Sequence, residues 1–343
     1  MYYVGIDGHK DTAVVCVQTR SGNSTMTFST TADHAGMDEL IERMSGKKYK
    51  VLAETSTYTI DLHDYLVSKG VESYLAHPTQ LKLITESNKK TDRNDSEALA
   101  SYLRLWDKGE LTLSISFIVK DDERMLRDLC RYRENLAQSK GRIMQNIRSH
   151  TRIHAQYYDG DYSTKKAERY FRENHGDDYV LMCLWDDYVY LDRKADAIDR
   201  KFEDYAENDR DVQLLKSIPG IGTTTAVEIR SMIVNVDRFP TAGHAKSYYG
   251  MAPRVRDSGG SIKHGHITRQ GDPMMRAVLS RAVNTHRRYA KDEHISRYWD
   301  SHRPCLGGGK TMVACMNKLL ELIIAVLKRG TPYVRRSASH SSE

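Results

Sequence analysis

Cysteine is scarce in this sequence, and the five present, at positions 16, 130, 183, 305 and 315, are scattered, odd in number and never spaced as C-x-x-C. That pattern argues against a disulfide framework and against a structural zinc site, so they read as reduced packing residues. Long apolar runs are missing as well. A membrane span needs roughly 18 apolar residues in a row, and the longest apolar patch, 319–327, is interrupted by Glu321. The opening "MYYVGIDGHK" has no basic n-region and no hydrophobic h-region, so a signal peptide is not expected and the expected compartment is the cytoplasm.

What is present describes an ordinary globular chain: 343 residues, 39% hydrophobic and 29% charged, long enough for two or three domains. The formal net charge of +6 hides an asymmetry. Residues 251–343 carry 17 Lys and Arg against 7 Asp and Glu, which leaves the first 250 residues net acidic. A basic C-terminal region points toward a polyanion, in such a compartment usually a nucleic acid, with a merely solvated basic surface as the alternative.

Along the chain the first segment reads as strands before helices. "YYVGID", "AVVCVQ" and "TMTF" are strand-like, "GMDELIERM" has helical spacing, "KVLAE" is a fourth strand, "IDLHDYLVSKG" a helix and "VESYLA" a fifth strand. Strand, strand, strand, helix, strand, helix, strand, helix is the order of an RNase H-like α/β domain, here 1–118. From 119 to about 210 the period becomes helical. Leu129, Tyr132, Leu136, Ile143, Ile147 and His150 share one face, as do Leu184, Tyr188, Leu191, Ala195, Ile198, Phe202 and Tyr205. Two long helices separated by the polar loop "AQYYDGDYSTKK" are expected, forming a helical connector that packs as a hairpin or as a coiled coil between subunits. A third, helical domain over 211–332 opens with "LLKSIPGIGTTTAVEI", which reads as a helix-hairpin-helix element. Its Gly220 and Gly222 could let backbone N–H groups approach phosphates, or could serve only the turn. The segment "YYGMAPRVRDSGGSIKHGHITRQGDP" follows and reads as a loop, with Arg254, Arg256, Lys263 and Arg269 as candidate nucleic-acid contacts. The tail, 333–343, reads as disordered.

The stretch "NKKTDRNDSEALA" carries the chemistry. If a helix starts near Thr91, Asp92 and Asp95 lie on one side of its first turn. Carboxylates there also complement the helix dipole beneath a Thr91 cap, which is a sufficient reason for their presence. Two further acids end strands, Asp7 in "VGID" and Glu54 in "VLAET". In an RNase H-like sheet those strands are neighbours and the last helix crosses them, so all four acids converge. Four carboxylates at close range raise one another's pKa unless a cation intervenes, and oxygen-only ligands suit Mg²⁺ or Mn²⁺. Two such ions could activate a nucleophile and stabilise the leaving oxygen of a phosphodiester.

Together, "GID", "E-T-S-T-Y", "KKTDRND", "SIPGIG" and "GMAPRVRDSGGS" make the chain resemble the DEDD-type insertion-sequence transposases, bridge-RNA-guided and serine-dependent DNA recombinases related to the pilin-gene invertases. The resemblance runs from about Tyr3 to Tyr333. It implies that Asp7, Glu54, Asp92 and Asp95 are catalytic metal ligands and that Ser258, after Asp257 in "DSGGS", is the nucleophile forming a covalent phosphoserine. It implies double-stranded target and donor DNA, a structured guide RNA, a dimer or tetramer in which the acids of one subunit meet the serine of another, a nucleoid-associated life and no membrane. Three departures from the family pattern stand out: Gly8-His9 after the first acid, Ser56 where a glycine is common, and Ser96 where an alanine is. Read without the resemblance, "RDSGGSIKHG" is a flexible surface loop, and Ser261 competes with Ser258.

Other signals are weaker. "PCLGGGKT" lacks the first Walker A glycine, since Pro304 stands there, and leaves Lys310 as a phosphate contact at most. His264 and His266 read as nucleic-acid contacts. The rival functions are an RNase H-like nuclease or Holliday-junction resolvase that uses water, and a non-enzymatic nucleic-acid-binding protein.

Overall fold

A computed structural model describes residues 1–77, 81, 91–258, 261–291 and 293–335, with the backbone alone for 255–258 and 261–264. Gly259, Gly260 and the tail from 336 lie outside the described residues. These divide into two compact units, Met1–Ile118 and Val119–Glu343.

The first unit holds β1 (Tyr2–Gly8), β2 (Thr12–Thr19), β3 (Ser24–Thr31), α1 (His34–Arg43), β4 (Tyr49–Glu54), α2 (Thr59–Ser68), β5 (Glu72–Ala76) and α3 (Asp92–Asp107). The sheet order is β3-β2-β1-β4-β5. β1 pairs antiparallel with β2 and parallel with β4, and β4 pairs parallel with β5. This is the RNase H-like arrangement expected from the order of apolar runs. Side chains alternate across each strand. Val4, Ile6, Val51 and Ala53 therefore pack one face against Met37, Leu40, Leu62 and Leu66 of α1 and α2. Tyr3 and Leu52 point the other way, into a core with Leu99 and Leu103 of α3.

Gly5 shares the Tyr3 face and sets how closely α3 lies on the sheet. A Cβ there would stand 2.0 Å from the Ser96 carbonyl oxygen and 2.5 Å from the Ala100 nitrogen, closer than any side chain permits. Ser96, fully buried at this crossing, satisfies its hydroxyl on the Arg93 carbonyl at 3.0 Å.

The second unit contains α4 (Asp121–Ile153), α5 (Lys165–Asn174), α6 (Tyr179–Asn208), α7 (Arg210–Lys216), α8 (Thr223–Ile233), α9 (Ala242–Tyr248), β6 (Pro253–Ser258), β7 (Ser261–Ile267), α10 (Pro273–Tyr289) and α11 (His294–Arg329). α4 and α6 form an antiparallel hairpin, joined by ion pairs of Arg133 with Asp199, Lys140 with Asp192 and His150 with Asp178. Leu136, Ile147, Ala195, Ile198 and Phe202 are buried, while Tyr132 stays exposed. The apolar stripes are thus largely spent inside the hairpin. At its base Leu126, Cys130, Ala195 and Phe202 share one core with Leu215, Val227, Val278 and Leu319, so residues on both sides of position 210 pack together.

Two elements differ from the sequence reading. The stretch between the long helices contains α5, capped by Thr164, whose hydroxyl accepts from the Ala167 N–H at 3.2 Å. Its Phe171 joins Trp185, Leu181, Ile147 and three tyrosines, 158, 162 and 170, in a small core at the hairpin tip. Two of the tyrosines in the stretch read as a polar loop, Tyr158 and Tyr162, are packing material, while Tyr157 stays exposed. The second difference is "PRVRDS" and "SIKHGHI", which are not loop but the antiparallel pair β6 and β7. Alternating residues on both sides of two glycines are a hairpin signal that the basic composition obscured. The "PCLGGGKT" motif lies within α11, which bends at Gly307 (φ 75°, ψ 161°) and contains Pro304, a setting unlike a strand-to-helix phosphate loop.

Candidate active site

Asp7 shares its face of β1 with Tyr3 and Gly5, and Glu54 shares its face of β4 with Leu52. Both faces look toward α3. The β1–β4 register pairs Ile6 with Ala53, so Asp7 and Glu54 are the next neighbours where the two parallel strands end. The Glu54 carbonyl accepts from the Thr59 hydroxyl at 2.6 Å, which ties this strand end to the first turn of α2. Ser56 reinforces that turn by accepting from the N–H groups of Tyr58 and Thr59, each at 3.3 Å. The departure at Ser56 is therefore a helix-start hydrogen-bonding residue.

α3 begins at Asp92, with the Thr91 hydroxyl accepting from the Asn94 N–H at 3.3 Å. Asp92 and Asp95 both fall in its first turn, above the ends of β1 and β4. Capping and convergence are consequences of the same placement rather than alternatives. Lys89 and Lys90, just before this turn, lie outside the described residues.

The electrostatics report the crowding. Burial pushes the Asp7 carboxyl above its ordinary value, His9 opposes this, and Asp95, Asp92 and Glu54 push it further up. The Asp7 side chain is 16% exposed against 61% for Asp92. Ligand atoms of Asp7, His9 and Asp92 all lie within 4.8 Å of one another. A carboxyl pushed up by burial and by neighbouring carboxylates, beside converging donor atoms, is an arrangement that a divalent cation would relieve. The residues present thus fit a hard cation, with one addition the sequence reading counted only as a departure, His9. The available signal was its spacing: two residues past Asp7, it returns to the same side of the chain.

In the second unit Ser258 ends β6 opposite Ser261 of β7, and Arg256 is paired with Lys263. The hairpin root is tightly built. Thr268 and Arg269 N–H groups donate to Ala252 and Gly250 carbonyls, both at 3.0 Å. Arg276 Nη1, from the first turn of α10, donates to the Tyr249 carbonyl at 2.9 Å and the Gln270 carbonyl at 3.1 Å, holding both strand roots at once. Gly250 has φ +65°, and a Cβ on it would meet the Gln270 oxygen at 2.1 Å. Arg254 and Arg269 are exposed at this root, and Arg269 itself has φ +56°.

The two turn glycines separate in role. Gly220 has φ +88° and sits so close to α10 that a Cβ would stand 2.5 Å from the His286 nitrogen, while Pro219 accepts from His286 Nδ1 at 2.7 Å. Its need for glycine is internal packing. Gly222 begins α8 with open space around it. His266 is exposed on β7.

Comparison with known proteins gives two family matches, the first of which runs past the first unit to the end of α4. Residues 4–154 match a DEDD transposase family model of the IS110 type, and residues 212–300 match the Transposase IS116/IS110/IS902 family. The chain is 25% identical over 356 residues to the pilin gene-inverting protein of Moraxella lacunata, covering 97% of this chain and 98% of that one. It is 23% identical over 280 residues to the transposase for insertion sequence element IS1111A of Coxiella burnetii, covering 77% and 73%. No helix among the described residues is long and apolar enough to cross a membrane. With both transposase domains matched in order, and relatives of that kind over most of its length, the chain is a member of the IS110/IS116 transposase family, an enzyme that cleaves DNA and transfers its strands.

Proposed function

We propose that this transposase performs RNA-guided, site-specific recombination through a phosphoserine on Ser258, with Mg²⁺ or Mn²⁺ held by Asp7, Glu54, Asp92 and Asp95. The observation that carries the reading is the convergence of the acids at the ends of β1 and β4 under the first turn of α3, on a chain that also presents a serine at a hairpin end. When bound, the cation lowers the pKa of an attacking hydroxyl and polarises the phosphate.

The chain's own part is then as follows. Ser258 Oγ forms a bond to phosphorus as the bond to the departing strand oxygen breaks; the serine loses its proton and the departing oxygen gains one. One phosphodiester is exchanged for another, so a new strand hydroxyl can attack the phosphoserine, free the serine and seal the DNA without ATP. Arg254, Arg256, Lys263 and Arg269, with Gly222, line the DNA or RNA backbone, and their contacts are salt-dependent. For Gly220 the packing against His286 is sufficient reason, and we leave it out of the nucleic-acid surface.

The helices of 119–210 act as the connector and those of 211–332 as the serine-bearing domain. The active assembly is a dimer or tetramer that joins the acids of one subunit to the serine of another, on the nucleoid. A structured guide RNA supplies sequence choice by pairing, as in other guided systems. Sequencing RNA that co-purifies with the protein tests this directly. A single structured species encoded beside the gene, required for strand exchange between paired DNAs, is the expected result. Strand exchange that proceeds after complete RNase treatment would contradict guidance.

A further inference from the structure

The imidazole of His9 occupies the acid cluster without using it for hydrogen bonding. Its Nε2 lies 3.4 Å from Asp7 Oδ2 and 3.5 Å from Asp92 Oδ1. Both separations exceed the 2.7–3.2 Å typical of N–H···O hydrogen bonds. Donor atoms that share one small octahedral cation at about 2.1 Å stand about 3 Å apart when adjacent. The imidazole nitrogen therefore sits slightly farther from each carboxylate oxygen than adjacent ligands do, and with ligand atoms of all three residues within 4.8 Å of one another the set can close onto an ion by side-chain movements.

The backbone holds the ring where it is. His9 follows β1 directly, and its N–H donates to the Thr12 carbonyl at 2.9 Å, closing the β1–β2 turn. Gly8 before it leaves no room for a larger residue, since a Cβ there would stand 2.8 Å from the Thr59 methyl. The ring is half exposed, so it can turn by χ rotation without disturbing the core.

We propose that His9 is a nitrogen ligand of the cation site formed with Asp7 and Asp92, which makes the site one for a mixed oxygen and nitrogen donor set and biases it toward Mn²⁺ over Mg²⁺. Magnesium gives up water reluctantly and keeps to oxygen, whereas affinity for imidazole rises along the first-row metals from manganese onward. The inference rests on the acid-cluster reading above, and the experiment separates the two.

Mn²⁺ and Mg²⁺, as chlorides and without nucleic acid, are titrated calorimetrically into the full chain and into His9→Asn. The Mn²⁺-loaded wild type is then examined by pulsed electron paramagnetic resonance for ¹⁴N coupling. The expected result is a histidine nitrogen coupling in the wild type that His9→Asn loses, with Mn²⁺ affinity falling about tenfold and Mg²⁺ affinity nearly unchanged. Binding of Mn²⁺ with no nitrogen coupling would overturn the assignment and leave His9 as a counter-charge, with the acid cluster intact. No binding of either ion to the wild type would overturn both readings. The spectroscopic arm uses only the wild type, so it decides the matter even if the variant folds poorly.

Discussion

In the first unit the proposed cation-binding acids come from three distant points of the chain, the ends of β1 and β4 and the start of α3, and the sheet brings them together. In the second unit the proposed nucleophile stands at the end of a two-stranded arm, five residues beyond a root anchored among helices. Acids that share a cation must be fixed relative to one another, and sheet register does that. A nucleophile that meets DNA needs reach, which a hairpin supplies, and its accuracy depends on the root.

The largest effect is expected at the acids. Asp7→Asn or Asp92→Asn should reduce Mg²⁺- or Mn²⁺-dependent strand cleavage by about 100-fold or more while the protein still folds, because each removes a cation ligand and relieves repulsion. Cleavage assays beside circular dichroism check this; near-wild-type rates for both variants would remove the metal site from the account.

A slightly smaller effect is expected where the fold positions those acids. Gly5→Ala places a methyl 2.0 Å from the Ser96 oxygen. It should lift α3 from the sheet and cost about 3 kcal/mol. Urea unfolding measures the loss, and cleavage should fall with it although no acid has changed.

The arm is tested at its root. Five residues at about 3.4 Å each make a lever of about 17 Å, so a 10° tilt at the root moves Ser258 by about 3 Å. Arg276→Met removes the donor that grips Tyr249 and Gln270, and should lower recombination about tenfold. Arg276→Lys, which can still donate to a carbonyl, should retain most activity. Hydrogen exchange at the Thr268 and Arg269 amides should quicken in the methionine variant alone.

The smallest effect concerns the hairpin tip. Burial tends to raise the Asp178 carboxyl, but the Leu181 N–H, His150 and Gln156 together hold it well below the usual carboxylate range. A depressed folded value means that its stabilisation is present above the unfolded carboxylate pKa, near 4, and is lost as pH falls through the lower folded value. Asp178→Asn should therefore cost about 1 kcal/mol at neutral pH, with the gap from wild type shrinking in acid. A gap that widened on acidification would show that the pair does not act this way.

Much of the first unit was legible because sheet alternation and strand ends are written in local sequence. "VGID" and "VLAET" mark strand termini, and Thr91 marks the start of α3. The role of Gly5 was hidden, since nothing local reveals that residue 96 crosses above it. His9 was visible only as an irregularity, because its partners are 2 and 83 residues away. In the second unit the long helices announced themselves by period. α5 did not, because the tyrosines before and within it are common to loops and cores alike. The β6–β7 hairpin was masked by its arginine, lysine and histidine residues, which read as a basic loop until the pairing partner is known.

Whether a serine of this arm carries the strand is decided by trapping the reaction on a suicide DNA substrate and mapping the modified peptide by mass spectrometry. A DNA adduct on Ser258 is expected, abolished in Ser258→Ala while DNA binding persists. An adduct on Ser261, or strand cleavage by Ser258→Ala with no adduct on the wild type, would contradict it and point to attack by water.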